Sequence, residues 1–195
     1  MKVLIGTTNP AKVRYYEKML ADYEIDFLTL KDLQIAEEPE ETGNDPEENA
    51  RQKAAFYGRY FDVVICNDSG LYFDALALDD PLQPGLHVRT PQGVRLDDDA
   101  MVAYYTNLVK NLGGKAVAYY LNGFAVYRNG KLYSKMEDPA EKREAAFFML
   151  DHAVEPQRDG WPLDSISIRN PLGSDAIHNQ TKDFLLAALG LEEAK

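Results

Sequence analysis

Residues 2–30, KVLIGTTNPAKVRYYEKMLADYEIDFLTL, decide the fold class of this chain. The apolar runs at 2–6 and 25–30 predict two short β-strands. Between them, Asn9 can cap a helix that has a proline at its first position. One apolar helix face then follows at spacings of three and four, formed by Val13, Tyr16, Leu20 and Tyr23. This order of strand, polar turn and helix N-terminus is one in which free backbone N–H groups can bind an anion.

The rest of the chain continues this mixture of strands and helices. Asp45, Pro46 and Glu48 form a capping box that predicts a second helix, and DVVIC at 62–66 predicts a strand. Further predictions are a helix over 97–114, a hairpin turn at Asn129-Gly130 and a short helix over 181–190. The segment 141–153 fits a helix or a strand equally well. We therefore predict one domain over residues 1–195, of α/β or mixed α+β class with a mixed sheet.

The composition argues against several classes of protein. Acidic residues number 32 against 21 basic ones, which gives a formal net charge of −11. Because no basic stripe is visible, we expect no binding to a nucleic-acid polymer. The chain shows no signal peptide, and no apolar stretch reaches the ~18–20 residues of a membrane span. We expect a soluble cytoplasmic protein with no membrane partner, in which Cys66 is a buried structural thiol.

Three clusters of polar residues lie beside predicted strand ends and helix starts. They are Thr7, Thr8, Asn9 and Lys12, then Glu41, Asn49 and Lys53, and then Asn67, Asp68 and Ser69. Two lysines and two acids near a helix N-terminus suit a magnesium–triphosphate site, because the cation takes carboxylate and phosphate oxygens while lysines offset the remaining charge. Two structural alternatives stay open. The lysines can be solvated helix residues, and NDSG at 67–70 can be an ordinary turn after a strand.

The order and spacing of these clusters resemble the motifs of one enzyme family. TTNPAK at 7–12 comes first, then EETG at 40–43 with ENARQKA at 48–54, and then NDSGLYFDAL at 67–76. In these segments the chain is similar to the inosine triphosphate pyrophosphatase family, which hydrolyses non-standard purine nucleoside triphosphates. Weaker matches are PGLHVRT at 84–90, GWPLDSI at 160–166 and His178.

The resemblance implies an activity, a set of site residues and an architecture. The activity is Mg²⁺-dependent hydrolysis of a nucleoside triphosphate to a nucleoside monophosphate and pyrophosphate. Glu41 and Asp68 would bind the metal, Asp68 would also act as the general base, and Lys53 would neutralise charge that develops during the reaction. The implied substrate-binding residues are Thr7, Thr8, Asn9, Lys12, Asn67, Ser69, Trp161, Asp164 and His178. The family's members are commonly homodimers, with an elongated curved mixed β-sheet flanked by helices and two lobes with a cleft between them.

Departures from the family's motifs concentrate in the segments that recognise the base. There they are Gly173 in place of a lysine, Asn179 in place of an arginine, and Pro162-Leu163 in place of Gly-Tyr. Outside these segments, Asn67 stands in place of an acid, so one carboxylate of the family's acidic pair is missing. Trp161 keeps an aromatic residue, and Asp164 keeps the acid. We therefore expect intact phosphate chemistry with altered base specificity. The alternative is a catalytically weakened relative that binds nucleotides.

Overall fold

The computed structural model describes residues 1–171 and 177–191, with the backbone alone for 177–179. Gly173 and the side chains of His178 and Asn179 therefore lie outside the described residues. The strands are β1 Lys2–Ile5, β2 Asp26–Thr29, β3 Val63–Phe73, β4 Lys115–Arg128, β5 Lys131–Met136, β6 Phe147–Leu150 and β7 Ser167–Ile168. The α-helices are α1 Pro10–Met19, α2 Pro46–Tyr57, α3 Asp98–Asn111, α4 Pro139–Glu144 and α5 Ile177–Leu189.

The strands form one mixed sheet in the order β2-β1-β3-β4-β6-β7, with β5 paired to β4. β1 is parallel to both β2 and β3. β4 is antiparallel to β5 and β6, and β6 is antiparallel to β7. Helices lie in the connections between the parallel strands, because parallel strands need a crossover of a dozen or more residues. The predicted class, a mixed sheet flanked by helices, is confirmed.

The chain divides into two compact units, of which the first comprises residues 1–68 and 122–136 together with α5. β1 and the first half of β3 are buried on both faces, because their side chains alternate between two apolar clusters. Ile5 and Ile65 pack with α1 and α5. Leu4 and Val64 pack instead with α2, whose buried face is formed by Ala50, Ala54 and Tyr57.

The second unit comprises residues 69–121 and 137–171. Its core is formed by α3 against the strands, through the fully buried Tyr105 and its neighbours Leu71, Phe73 and Met149. A 3₁₀ helix at Pro162–Ile166 contributes Leu163 and Ile166 to the same core. This division does not test the prediction of one domain over residues 1–195, which stays a prediction.

The expected turn at residues 67–70 is wrong, because β3 continues through these residues to Phe73. Gly70 does not form a turn; its lack of a side chain permits the close approach of neighbouring groups. A Cβ at Gly70 would lie 2.8 Å from the ring of Tyr72 and 3.2 Å from the carbonyl oxygen of Gly85. The backbone N–H of Leu71 donates to that same carbonyl at 2.9 Å, which holds the loop against the strand.

Two further local expectations are refined by the structure. Asp45 caps α2 as predicted, but the Glu48 carboxylate accepts from the backbone N–H of Asn44, at 2.8 Å, and not from that of Asp45. The ambiguous segment contains both alternatives, since α4 ends at Glu144 and β6 begins at Phe147. Across the described part of the chain, every helix is too short or too polar to cross a membrane.

Candidate active site

The helix α2 presents two side chains to the carboxylate of Asp68. Asn49 and Lys53 stand four residues apart and therefore project from the same helix face. The Asn49 carboxamide Nδ2 donates to Asp68 Oδ2 at 2.9 Å, and the Lys53 ammonium donates to Asp68 Oδ1 at 3.0 Å. Asp68 and Asn49 are 8% and 3% exposed, so the charge of Asp68 is held by donors largely away from water. Asn49 and Lys53 project from one helix face, as their spacing predicts, and both meet Asp68.

Glu41 joins the same cluster through the ammonium of Lys53, which lies 2.8 Å from Glu41 Oε1. The loop that carries Glu41 is fastened to α2 by hydrogen bonds. The backbone N–H of Thr42 donates to Gln52 at 3.0 Å, and that of Gly43 donates to Asn49 Oδ1 at 2.9 Å. Two carboxylates from distant parts of the sequence thus share one ammonium group.

The loop between β1 and α1 is organised by its own side chains. Asn9 caps α1 by accepting from the backbone N–H of Ala11 at 2.8 Å, as predicted. The hydroxyl of Thr7 accepts from the backbone N–H of Asn9 at 3.2 Å, whereas Thr8 is exposed. In this first turn Pro10 has no N–H, and the N–H of Val13 donates to the carbonyl of Asn9 at 3.3 Å, so few N–H groups remain for an anion.

The two lysines of the cluster are held in different electrostatic states. Burial, together with the positive charge of Lys53, lowers the pKa of Lys12 from its ordinary value of 10.5 to about 8. Burial acts on Lys53 as well, but Asp68 and Glu41 outweigh it and raise the pKa of Lys53. Lys53 is therefore a permanent cation near neutral pH. Lys12 is a cation whose charge the folded protein disfavours, so an anion that approaches it is favoured.

The two carboxylates fit a hard divalent cation whose coordination shell the protein fills only in part. Glu41 and Asp68 supply carboxylate oxygens, the ligand type that Mg²⁺ prefers. Within residues 1–171 and 177–191 no group of three acidic, histidine or cysteine side chains could hold a metal by itself. In nucleotide enzymes Mg²⁺ is usually bound by one or two carboxylates together with substrate phosphates and water.

The side chains that flank Asp68 do not share its face of the sheet. Successive residues of a strand point to opposite faces, so Asp68 faces α2 while Asn67 and Ser69 face the other way. The carbonyl oxygen of the Asn67 side chain is buried and accepts no hydrogen bond from the described residues. The roles implied for Asn67 and Ser69 in substrate binding stay predictions.

Trp161 and Asp164, two of the residues implied in base recognition, lie in the second unit and are described by themselves. Trp161 is 39% exposed, and its backbone N–H donates to the carbonyl of Arg158 at 3.0 Å. Arg158 also places Nη1 3.5 Å from Asp164 Oδ2. Burial raises the pKa of Asp164, although the charge of Arg158 opposes this effect. The predicted residue His178 falls among the side chains that the structure does not describe.

Arg158 and Asn49 are two residues to which the sequence assigns no role. The spacing of Asn49 and Lys53 places them on one helix face, but spacing alone does not reveal the bond to Asp68. Arg158 belongs to no motif in the sequence, and its neighbour Asp159 does not mark it as a site residue either. The thiol of Cys66 is buried, and burial raises its pKa to about 12, which agrees with the predicted structural role.

Comparisons with known proteins identify a family and several relatives to which this chain is similar. A family model described as the Ham1 family matches residues 3–141. A dITP/XTP pyrophosphatase of Thermoanaerobacter pseudethanolicus is 29% identical over 99% of this chain and 87% of its own length. Another, of Listeria monocytogenes, is 37% identical over 58% of this chain and 53% of its own length.

Solved structures agree with this result at the level of the fold. The Ham1 protein of Staphylococcus aureus is 20% identical with a TM-score of 0.64, over 97% of each chain. A HAM1 protein of Coxiella burnetii is 18% identical with a TM-score of 0.65, over 100% of each chain. The family model covers well over half of the sequence, including all three polar clusters. The resemblance inferred from the motifs is thereby confirmed, and this chain belongs to the Ham1 family.

Proposed function

We propose that this chain is a magnesium-dependent enzyme that hydrolyses nucleoside triphosphates to nucleoside monophosphate and pyrophosphate. The observation that carries the proposal is the cluster of Glu41, Lys53 and Asp68, with Lys12 in its electrostatic field. The relatives named dITP/XTP pyrophosphatase support the same reaction class.

The charges of this cluster explain why a metal is required. Two carboxylates and two lysines sum to zero, so the protein alone offers little net charge to a triphosphate that carries about four negative charges. Glu41 and Asp68 would hold Mg²⁺, which would offset the charge of the phosphate oxygens when bound. Local charge, and not the net charge of −11, therefore decides whether an anionic substrate can bind.

The chain's own residues have distinct roles in this proposal. Lys12 and the loop from Thr7 to Asn9 that precedes α1 bind phosphate oxygens. Asp68 accepts a proton from the attacking water, because its carboxylate is held in place by Lys53 and Asn49. Lys53 remains protonated throughout and stabilises the negative charge that grows on the phosphate oxygens during attack. The bond that breaks is the anhydride between the α- and β-phosphates.

We further propose that base specificity differs from that of a strict inosine or xanthosine triphosphatase. Trp161 offers an exposed aromatic face, and Asp164 offers one acceptor that is already close to Arg158. The arginine expected beside His178 is absent from the sequence, where Asn179 stands. The contacts retained around Lys53 favour an active enzyme over the weakened nucleotide-binding relative.

The experiment that tests the proposal is product identification. Purified protein is incubated with Mg²⁺ and the triphosphates of inosine, xanthosine, guanosine and adenosine, and the products are separated by ion exchange. Equal amounts of monophosphate and pyrophosphate are expected from at least one of them. Release of orthophosphate with a diphosphate, or no release from any triphosphate, would show that the proposed reaction is wrong.

A further inference from the structure

The carboxamide of Asn49 bridges the two acidic parts of the cluster. Asn49 is 3% exposed, and one polar atom of its carboxamide accepts a hydrogen bond while the other donates one. Oδ1 accepts from the backbone N–H of Gly43 at 2.9 Å, and Nδ2 donates to Asp68 Oδ2 at 2.9 Å. An amide can accept from Gly43 and donate to Asp68 at the same time, whereas a carboxylate cannot donate and an apolar side chain can do neither. The two neighbours also fix which atom of the amide is oxygen.

The bond to Asp68 completes a clamp on both oxygens of that carboxylate. Lys53 donates to Oδ1 from one turn further along the same helix. Two donors on a rigid helix restrict rotation of the carboxylate about its last bond. The orientation of Asp68 therefore depends on Asn49 as much as on Lys53.

The bond to Gly43 fastens the loop that carries Glu41 to the same side chain. A Cβ at Gly43 would lie 2.7 Å from Asn49 Oδ1 and 2.9 Å from the Asn49 backbone nitrogen. The glycine therefore permits the close approach that this hydrogen bond needs. Glu41 stands two residues before Gly43, so the bond restricts where the Glu41 carboxylate can lie relative to Asp68.

The position of α2 is itself fixed by the sheet. A Cβ at Gly123 in β4 would overlap the backbone of Pro46 and Glu47, so the helix lies directly against the strand at its first turn. The Ser134 hydroxyl in β5 donates to Glu47 Oε1 at 2.6 Å. Asn49 therefore acts from a well-anchored helix, and its amide has little freedom to follow a moving carboxylate.

We infer that Asn49 is a positioning residue, whose carboxamide orients the Asp68 carboxylate and ties to it the loop that carries Glu41. This inference deepens the proposed function and rests on it. Asn49 does not touch the reacting atoms; it acts through Asp68. Misplacement of a reacting group by about 1 Å can cost about a hundredfold in rate, so loss of this bridge lowers kcat more than it changes KM.

Two substitutions at this position separate the two hydrogen bonds. Asn49→Asp keeps an acceptor for Gly43 but removes the donor to Asp68, whereas Asn49→Ala removes both. Arg51→Ala is the matched control, because Arg51 is an exposed residue of the same helix whose guanidinium bonds Ser134 at 2.8 Å and contacts neither acid. Thermal unfolding confirms that each variant is folded before its kinetics are measured.

The expected result is a fall in kcat of about 10- to 100-fold for both Asn49 variants, with KM within about threefold of wild type. Arg51→Ala keeps wild-type kcat. A crystal structure of Asn49→Ala is expected to show the Asp68 carboxylate turned and residues 41–43 displaced. Full kcat in Asn49→Asp, or the same loss of kcat in Arg51→Ala, would overturn the inference.

The structural measurement separates failure of the inference from failure of the proposed function. If the wild-type protein releases no pyrophosphate, the proposed function is wrong, whatever the variants do. The crystal structure of Asn49→Ala then decides the positioning claim. Unchanged positions of Asp68 and of residues 41–43 would show that Asn49 does not hold them.

Discussion

The ammonium of Lys53 lies between two carboxylates, 3.0 Å from Asp68 and 2.8 Å from Glu41. The side chains of Lys53 and Asp68 are only 14% and 11% exposed, so solvent screens their attraction weakly. Removal of the cation would leave two negative charges close together, one of them buried. The pair therefore matters to stability as well as to the proposed chemistry.

We predict that Lys53→Met lowers the free energy of unfolding by about 3 kcal/mol at pH 7, because breaking a buried ion pair leaves an uncompensated charge. The bond from Asn49 to Asp68 offsets part of this loss. Urea unfolding measures the change, with Lys53→Arg as the control that retains the charge. Wild-type stability in Lys53→Met would show that Asp68 and Glu41 do not depend on this ammonium.

The lowered pKa of Lys12 predicts a gain in stability when the charge is removed. The pKa of this group is about 8 in the folded protein and 10.5 ordinarily, so the unfolded chain binds the proton more tightly. The penalty on folding is complete below pH 8 and disappears as the pH rises past 10.5. Lys12→Met is therefore expected to be more stable than wild type by about 2–3 kcal/mol at pH 7, and by little near pH 10.5.

The control for this prediction is Lys18→Met, which removes an exposed lysine from the same helix. Its stability should lie within about 0.5 kcal/mol of wild type. Lys12→Met should also bind triphosphate more weakly. A variant that is less stable than wild type at pH 7 would contradict the pKa assigned to Lys12.

Local signals in the sequence predict much of the fold. The caps at Asn9 and Asp45 and the turn at Asn129-Gly130 are set by short-range chemistry, and all three are confirmed. In the turn, Asn129 and Gly130 have φ of 49° and 83°, the conformation that Asn-Gly pairs favour in hairpins. The spacing of Asn49 and Lys53 likewise predicts that they project from one face of a helix.

Other features depend on contacts that no local pattern records. NDSG at 67–70 has turn composition, but pairing with neighbouring strands keeps it extended. Asn122-Gly123 also has turn composition and lies inside β4, where the glycine admits the backbone of α2. Arg158 meets Asp164 because of the path of the chain between them, which composition does not predict. In each case a tertiary contact outweighs a local preference.

Base selection is predicted to be weak or shifted. A site built to hydrogen-bond a group can reject an analogue by about 10⁴-fold, because its own polar groups would be left unpaired. With Asn179 where the family has an arginine, that penalty should be largely absent. The ratio of kcat/KM for inosine and adenosine triphosphates should stay below about a thousandfold. A larger preference for the inosine form would mean that other residues replace the arginine.

The homodimer implied by the family resemblance is tested by sedimentation velocity at micromolar concentration. We predict a species of twice the 22.0 kDa chain mass. A monomer over the whole concentration range would contradict this prediction, without bearing on the chemistry assigned to Asp68.

The most direct test of the central claim compares wild type with Asp68→Asn for pyrophosphate release, with Mg²⁺ and with excess chelator. The substitution preserves the shape of the side chain but removes its charge and its capacity as a base. We predict that Asp68→Asn lowers kcat by about 10²–10⁴-fold while circular dichroism is unchanged, and that chelator abolishes wild-type turnover. Wild-type rates in Asp68→Asn, or full turnover in excess chelator, would contradict this prediction.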